Sequence, residues 1–182
     1  MQRLIVTPPV LPSAALAELK DWLGISTAMD DAPLTALLRA ALALCEDFTA
    51  RLPLAATCEE VLCVSGGWQR LRTRPVQAIT LVEGIPAEGP RFALASDAYA
   101  LDLDADGGGL VRVLRPGAAG RVAVRFVAGI AADWASLPET LRHGVIRLAA
   151  HQHRARESDA AGPLPPAAVA ALWRPWRRMR LA

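Results

Sequence analysis

At 182 residues and 19.4 kDa the chain can bury one core of ordinary size with appendages, and has little left for a second. A net charge of +2 excludes the global basic field of a whole-surface nucleic-acid binder, and no run approaches the roughly 18 to 20 apolar residues of a membrane span. The hydrophobic fraction of 53% is rich in alanine, which buries little area per residue, so apolar surface is left over for a partner.

The N-terminal segment MQRLIVTPPVLPSAALAEL is apolar but broken by Pro8, Pro9 and Pro12. It lacks the continuous apolar core of a signal peptide, which predicts that the chain stays in the cytoplasm where it is made. Ser13 is a candidate N-cap for a helix over about 13–24, with Leu16, Leu19 and Leu23 on one face and Gly24 as its stop. Asp31 can cap a second helix over about 31–51, with Pro33 in its first turn. There Leu34, Leu37, Leu38, Ala41, Leu42, Cys45 and Phe48 recur at helical spacing until Pro53 ends the pattern.

Cys45, Cys58 and Cys63 cannot all pair, and a reducing compartment argues against pairing, so buried free thiols are predicted. Between about 57 and 129 the period changes to two and turn residues multiply, the signature of a small antiparallel sheet. Strands are predicted near Glu59–Val64, Gln69–Thr73, Ala78–Glu83, Tyr99–Leu103, Leu110–Leu114 and through Val122, Val124 and Phe126.

Asp102, Asp104, Asp106 and Gly107 reproduce the opening of a calcium-binding loop. The match then fails, because Val113 stands where the bidentate glutamate belongs and the flanks read as strands; Asp and Gly are also what a tight hairpin turn needs. Gly107–Gly109 lacks the Lys and Ser/Thr of a phosphate loop.

Ser136 and Glu139 have capping-box spacing, with Pro138 between them, and open a third helix over about 137–157 that would bury Leu137, Leu141, Val145 and Leu148. All three histidines fall on it. His143 and His151 share a stripe with Arg147 and Arg154, but two turns, on the order of 12 Å, separate the two imidazoles, too far to hold one ion. No serine sits in a nucleophile elbow and no cysteine has a motif pairing it with histidine, so the prediction is a protein that is not an enzyme and has no cofactor, metal or catalytic residue.

From Arg142 onward eight arginines face only Glu157 and Asp159, while 12 basic and 16 acidic residues precede them. A linker, SDAAGPLPP, leads to a short helix interrupted at Pro175. Residues 1–157 thus read as the main domain and 158–182 as linker and tail. Trp173, Arg174, Trp176, Arg177, Arg178 and Arg180 are the residue types enriched at interface hot spots. Three readings of this tail stay open: a protein partner, packing on its own domain, and a nucleic-acid-binding module using phosphate contacts and stacking.

The segments LAELKDWLGIS, DDAPLTALLRAALALCEDFTAR, RTRPVQAITLVEG, VRFVAGI and LPETLRHGVIRLAAHQHRARE, in this order and spacing, resemble the head-tail connector (adaptor) family of tailed phages and phage-like gene transfer agents. The likeness runs over about 14–157, stops short of the tail, and departs where this chain has Gln152 and His153 in place of aromatic residues. It implies an α+β subunit, a helical bundle with an inserted antiparallel sheet. About twelve copies would form a ring in the neck of a virion or phage-like particle, between the portal and a tail-side stopper or tail terminator protein. DNA would pass through the channel without sequence-specific binding. Such a subunit has no membrane partner, and it is made in the host cytoplasm before it joins the particle.

Overall fold

The structure, a computed structural model, describes residues 3–155 and 165–177. It is α+β, with four α-helices and two antiparallel sheets among the described residues. The chain forms two compact units: a β unit of Met1–Pro9 with Leu54–Ile130, and a helical unit of Val10–Pro53 with Ala131–Ala182.

The strands of the β unit are β1 (Arg3–Thr7), β2 (Ala56–Cys63), β3 (Gln69–Arg70), β4 (Val76–Pro86), β5 (Phe92–Ala93), β6 (Tyr99–Leu103), β7 (Gly109–Val113) and β8 (Ala119–Ala128). They make a five-stranded sheet in the order β1-β2-β8-β4-β5 and a three-stranded sheet in the order β3-β7-β6. The central strand β8 is rich in the β-branched and aromatic residues that fit a pleated, covered surface. It sets Val122, Val124 and Phe126 among Cys58, Leu62 and Val82 in the buried core.

Strand β2 also carries two buried carboxylates on its opposite faces, Glu60 on the side of Cys58 and Leu62 and Glu59 on the other. Glu59 accepts hydrogen bonds from Arg91 (2.8 Å) and Arg125 (3.2 Å). Burial pushes its carboxyl up, but the hydrogen bonds and charges of Arg91 and Arg125 outweigh this and hold it below the usual range. Glu60, 2% exposed, accepts the backbone N–H groups of Arg72 and Thr73 and the Thr73 hydroxyl.

In the helical unit α1 (Ser13–Leu23) follows Pro12, and Gly24 in the left-handed conformation closes it. Helix α2 (Asp31–Thr49) buries Leu34, Leu38, Ala41 and Cys45, the row marked by its 3.6 period. Helix α3 (Glu139–Ala155) buries Leu141, Val145 and Leu148, with Leu137 buried just before it. A short α4 (Ala167–Trp173) ends in a single 3-10 turn, Arg174–Trp176, where Pro175 cannot continue the helix.

The structure departs from the sequence expectations at several points. Ser13 and Asp31, expected as N-caps, are the first residues of α1 and α2, which follow Pro12 and Asp30 with no side-chain cap hydrogen bond. The N-terminal apolar run is the edge strand β1, paired antiparallel with β2. The expected single sheet is two sheets. Cys63, expected buried, is exposed at the end of β2, whereas Cys45 and Cys58 are buried. The capping box does not form: Ser136 turns back to Asp133, whose Oδ1 accepts both the Ser136 N–H and hydroxyl at 2.8 Å, and the helix begins at Glu139. A local Asp–Ser turn has outcompeted the cap.

Candidate assembly interface

The tail residues separate into distinct environments. Trp173 is fully buried in the helical unit. Its ring lies 6.0 Å from that of Phe48 on α2, and its Nε1–H donates to the Leu141 carbonyl of α3 at 3.3 Å. This packing requires Gly144: a Cβ there would meet the indole Nε1 and stand 2.8 Å from Cε2 and 2.9 Å from Cδ1. Trp176 is half-buried and donates to the Thr140 hydroxyl at 2.9 Å. Arg174 is exposed, and the exposed Arg177 places its guanidinium 5.4 Å from the centre of the Phe48 ring, a cation–π contact. Arg178 and Arg180 lie outside the described residues, as does the linker segment 156–164. Of the six candidate residues, then, Arg174 and Arg177 are exposed, Trp176 is half-buried, and Trp173 occupies the core of its own unit.

The expected basic stripe of α3 lies along a groove that periodicity did not disclose. Trp22 of α1, 44% exposed, stands in its middle and meets His143 edge-on at 5.2 Å. On one side of Trp22 a cavity of about 410 Å³ is lined by Glu18, Asp21, Glu139, Arg142 and His143. On the other a cavity of about 200 Å³ is lined by Arg147, His151, Arg154 and the first turn of α4. The groove is therefore acidic at one end and basic at the other. LAELKDWLGIS holds the signal, since Trp22 stands three residues after Leu19 and seven after Ala15, the two buried residues of α1, and so borders the buried face of that helix.

Asp102, Asp104 and Asp106 sit at the β6–β7 hairpin, where Asp104 shapes the turn. Its Oδ1 accepts the N–H of Gly108 (2.6 Å) and Asp106 (3.0 Å), and its Oδ2 pairs with Arg70. The Gly108 N–H is the largest influence; desolvation opposes it, but with Arg70 and the Asp106 N–H added the carboxyl is held below its usual range. Stabilisation by Asp104 is therefore complete above the ordinary carboxylate range and lost as pH falls through its lowered value. Asp104→Asn should lower the melting temperature measurably, whereas Asp102→Asn should leave it unchanged, with or without calcium. A calcium-dependent rise in the parent, absent from Asp102→Asn, would instead make this turn a metal site.

Among the described residues no group of three or more His, Cys, Asp or Glu side chains is placed to hold a metal ion, and no helix is long and apolar enough to cross a membrane. Neither a family model nor a curated protein matches the sequence. Solved structures do. A chain from the neck of an empty gene transfer agent (GTA) particle, computed with C6 symmetry, is 31% identical, with a TM-score of 0.79; the match covers 100% of this chain and 98% of that one. A chain from the neck of a native GTA particle, computed with C12 symmetry, is 32% identical at the same coverage, with a TM-score of 0.77. A chain of the native gene transfer agent virion is 31% identical, again at that coverage, with a TM-score of 0.74.

Proposed function

We propose a head-tail adaptor role for this chain, which belongs to the family of gene transfer agent neck proteins. The observation that carries the reading is the likeness to neck chains over its full length, tail included. In this role about twelve copies close into a ring. One face of the ring meets the portal and the other a tail-side stopper or terminator protein, and DNA crosses the channel without being read. The C12 symmetry of the related native neck supports such a ring. The surface of the chain is suited to it, since Leu4, Ile5, Trp22, Met29 and Trp68 are large apolar residues left exposed. Arg174, Trp176 and Arg177 are the part of the tail assigned to the portal or to a neighbouring copy, joined by Arg178 and Arg180.

A closed ring needs unlike patches to meet in series, and a portal template aligns them and adds their energies. The purified chain should therefore sediment as a monomer or weak oligomer, and electron microscopy should show closed rings once portal is added. A tight dimer at low concentration, unchanged by portal, would overturn the adaptor reading.

A further inference from the structure

We infer that the basic end of the α1–α3 groove receives the Met29–Asp30 turn of a second copy of this chain. The inference rests on the adaptor reading and names one of its copy-to-copy contacts.

The receiving site is cationic and, among the described residues, unpaired. No ion pair or side-chain hydrogen bond among the described residues engages Arg147, His151 or Arg154, although all three line one cavity of about 200 Å³. Arg142, further along α3, is by contrast already paired with Glu18 at 3.8 Å. Trp22 forms an apolar wall between this cavity and the acidic end of the groove, where Glu18, Asp21 and Glu139 would repel an incoming carboxylate. A site of this shape takes one apolar group and one anion side by side. Its size fits side chains better than the backbone of a duplex, which needs cations spread along an open surface.

The inserting element has that composition. Met29, between α1 and α2, is 90% exposed, and beside it Asp30 makes no side-chain hydrogen bond to cap α2. The turn is held in place: the Asp31 N–H donates to the Ala28 carbonyl at 3.2 Å, the Leu34 N–H to the Asp30 carbonyl at 2.9 Å, and Lys20 of α1 pairs with Asp31 at 2.6 Å. A thioether against an indole and a carboxylate against guanidinium groups are both favourable contacts. Presenting them on a braced turn reduces the entropy lost on docking.

The two patches also lie at one end of the helical unit. Phe48, near the end of α2, packs on Trp173 beside Leu141 and Gly144 in the first half of α3, so α2 and α3 run in opposite directions. Glu18 reaches Trp134 and Arg142, and Trp22 reaches His143 and the Arg147 cavity, so α1 and α3 run the same way. The end of α1, the start of α2 and the end of α3 therefore share one level. Met29 and Asp30 do not line the cavity, so turn and cavity are distinct patches, as a rotational ring requires.

The test uses full-length chain in assembled particles and counts its copies per particle. Asp30→Arg or Arg154→Glu alone should lower neck occupancy by about tenfold, and the two together should restore it to within about threefold of the parent. All three purified proteins should stay folded and melt only slightly below the parent, because Asp30 is half-buried at the start of α2 and Arg154 exposed in the last turn of α3, where each charge swap opposes the helix dipole. Normal occupancy of either single variant overturns the contact. So does a double variant as depleted as the singles, or depletion by Arg154→Glu alone, which would turn the cations toward another partner such as DNA. As a second measurement, Met29→Cys with His151→Cys, in a Cys63→Ser chain, should oxidise in particles to a ladder of linked copies; particles that hold this chain but give no ladder overturn the contact. Absence of the unmodified chain from the neck would overturn the adaptor reading, and this contact with it.

Discussion

Replacing Gly144 by alanine should release α4 from the helical unit and cost about 3 to 5 kcal/mol, the loss typical of removing a buried Trp from a core. The cause is local. The added methyl would occupy the space of the Trp173 ring, whose nearest carbons lie 2.8 and 2.9 Å from it. A rigid indole held between Phe48 and the Leu141 carbonyl has no free direction in which to move. Trp173→Ala should cost a similar amount. The double variant should be little worse than either single, because both remove the same packing. Denaturant unfolding followed by tryptophan fluorescence reads both stability and exposure of the ring. Additive costs, or a Gly144→Ala protein that melts with the parent, would show that Trp173 is not held in this slot. Where these variants stay folded they also probe assembly, since α4 then no longer fixes Arg174, Trp176 and Arg177 in place. A drop in particle joining larger than the drop in stability would locate binding energy in those residues.

Which parts of this could be read from the chain follows from the range over which each signal acts. α2 was legible because seven apolar positions at 3.6 spacing leave one way to face a core, and β6–β7 because Tyr99, Leu101 and Leu103 alternate before an Asp–Gly turn. Strand β1 was not: Ile5, Val6 and Thr7 are β-branched and Thr7 precedes Pro8, so the segment favours an extended backbone, but five residues show no alternation and only β2 makes them a strand. Ser136 misled because the same hydroxyl can cap a helix or answer Asp133, and only the surroundings decide. In the candidate interface the tail residues stood out by type, yet type could not separate Trp173 from Trp176, and the difference is whether a glycine lies beneath the ring. Gly144 was the available clue: glycine inside a helix costs about 1 kcal/mol against alanine and so asks for a packing reason. The Trp22 groove needed α1 and α3 brought side by side, which no local pattern specifies.

In the β unit the largest expected effect belongs to Glu60. A carboxylate 2% exposed on a core strand is normally expensive to bury, and here three donors from one segment compensate it. Oε2 takes the Arg72 N–H at 2.9 Å, and Oε1 takes the Thr73 N–H at 2.9 Å and the Thr73 hydroxyl at 2.7 Å. That segment supports the hairpin: the Leu71 N–H donates to the Gly109 carbonyl and the Val76 N–H to that of Gly107. Glu60→Ala strands the donors without an acceptor. At about 1 to 3 kcal/mol per unsatisfied group, and with some regained from water, the expected loss is about 3 to 5 kcal/mol. Glu60→Gln should fall between alanine and the parent, since its amide oxygen still serves Thr73 while its NH₂ opposes the Arg72 N–H donor to donor. Hydrogen exchange should locate the damage, with amides of Arg72, Thr73 and the Gly107–Gly109 turn opening faster and those at the middle of β8 least affected. A glutamine variant as stable as the parent would mean the buried negative charge contributes nothing, and an alanine variant as stable would mean that water, not Glu60, satisfies the segment.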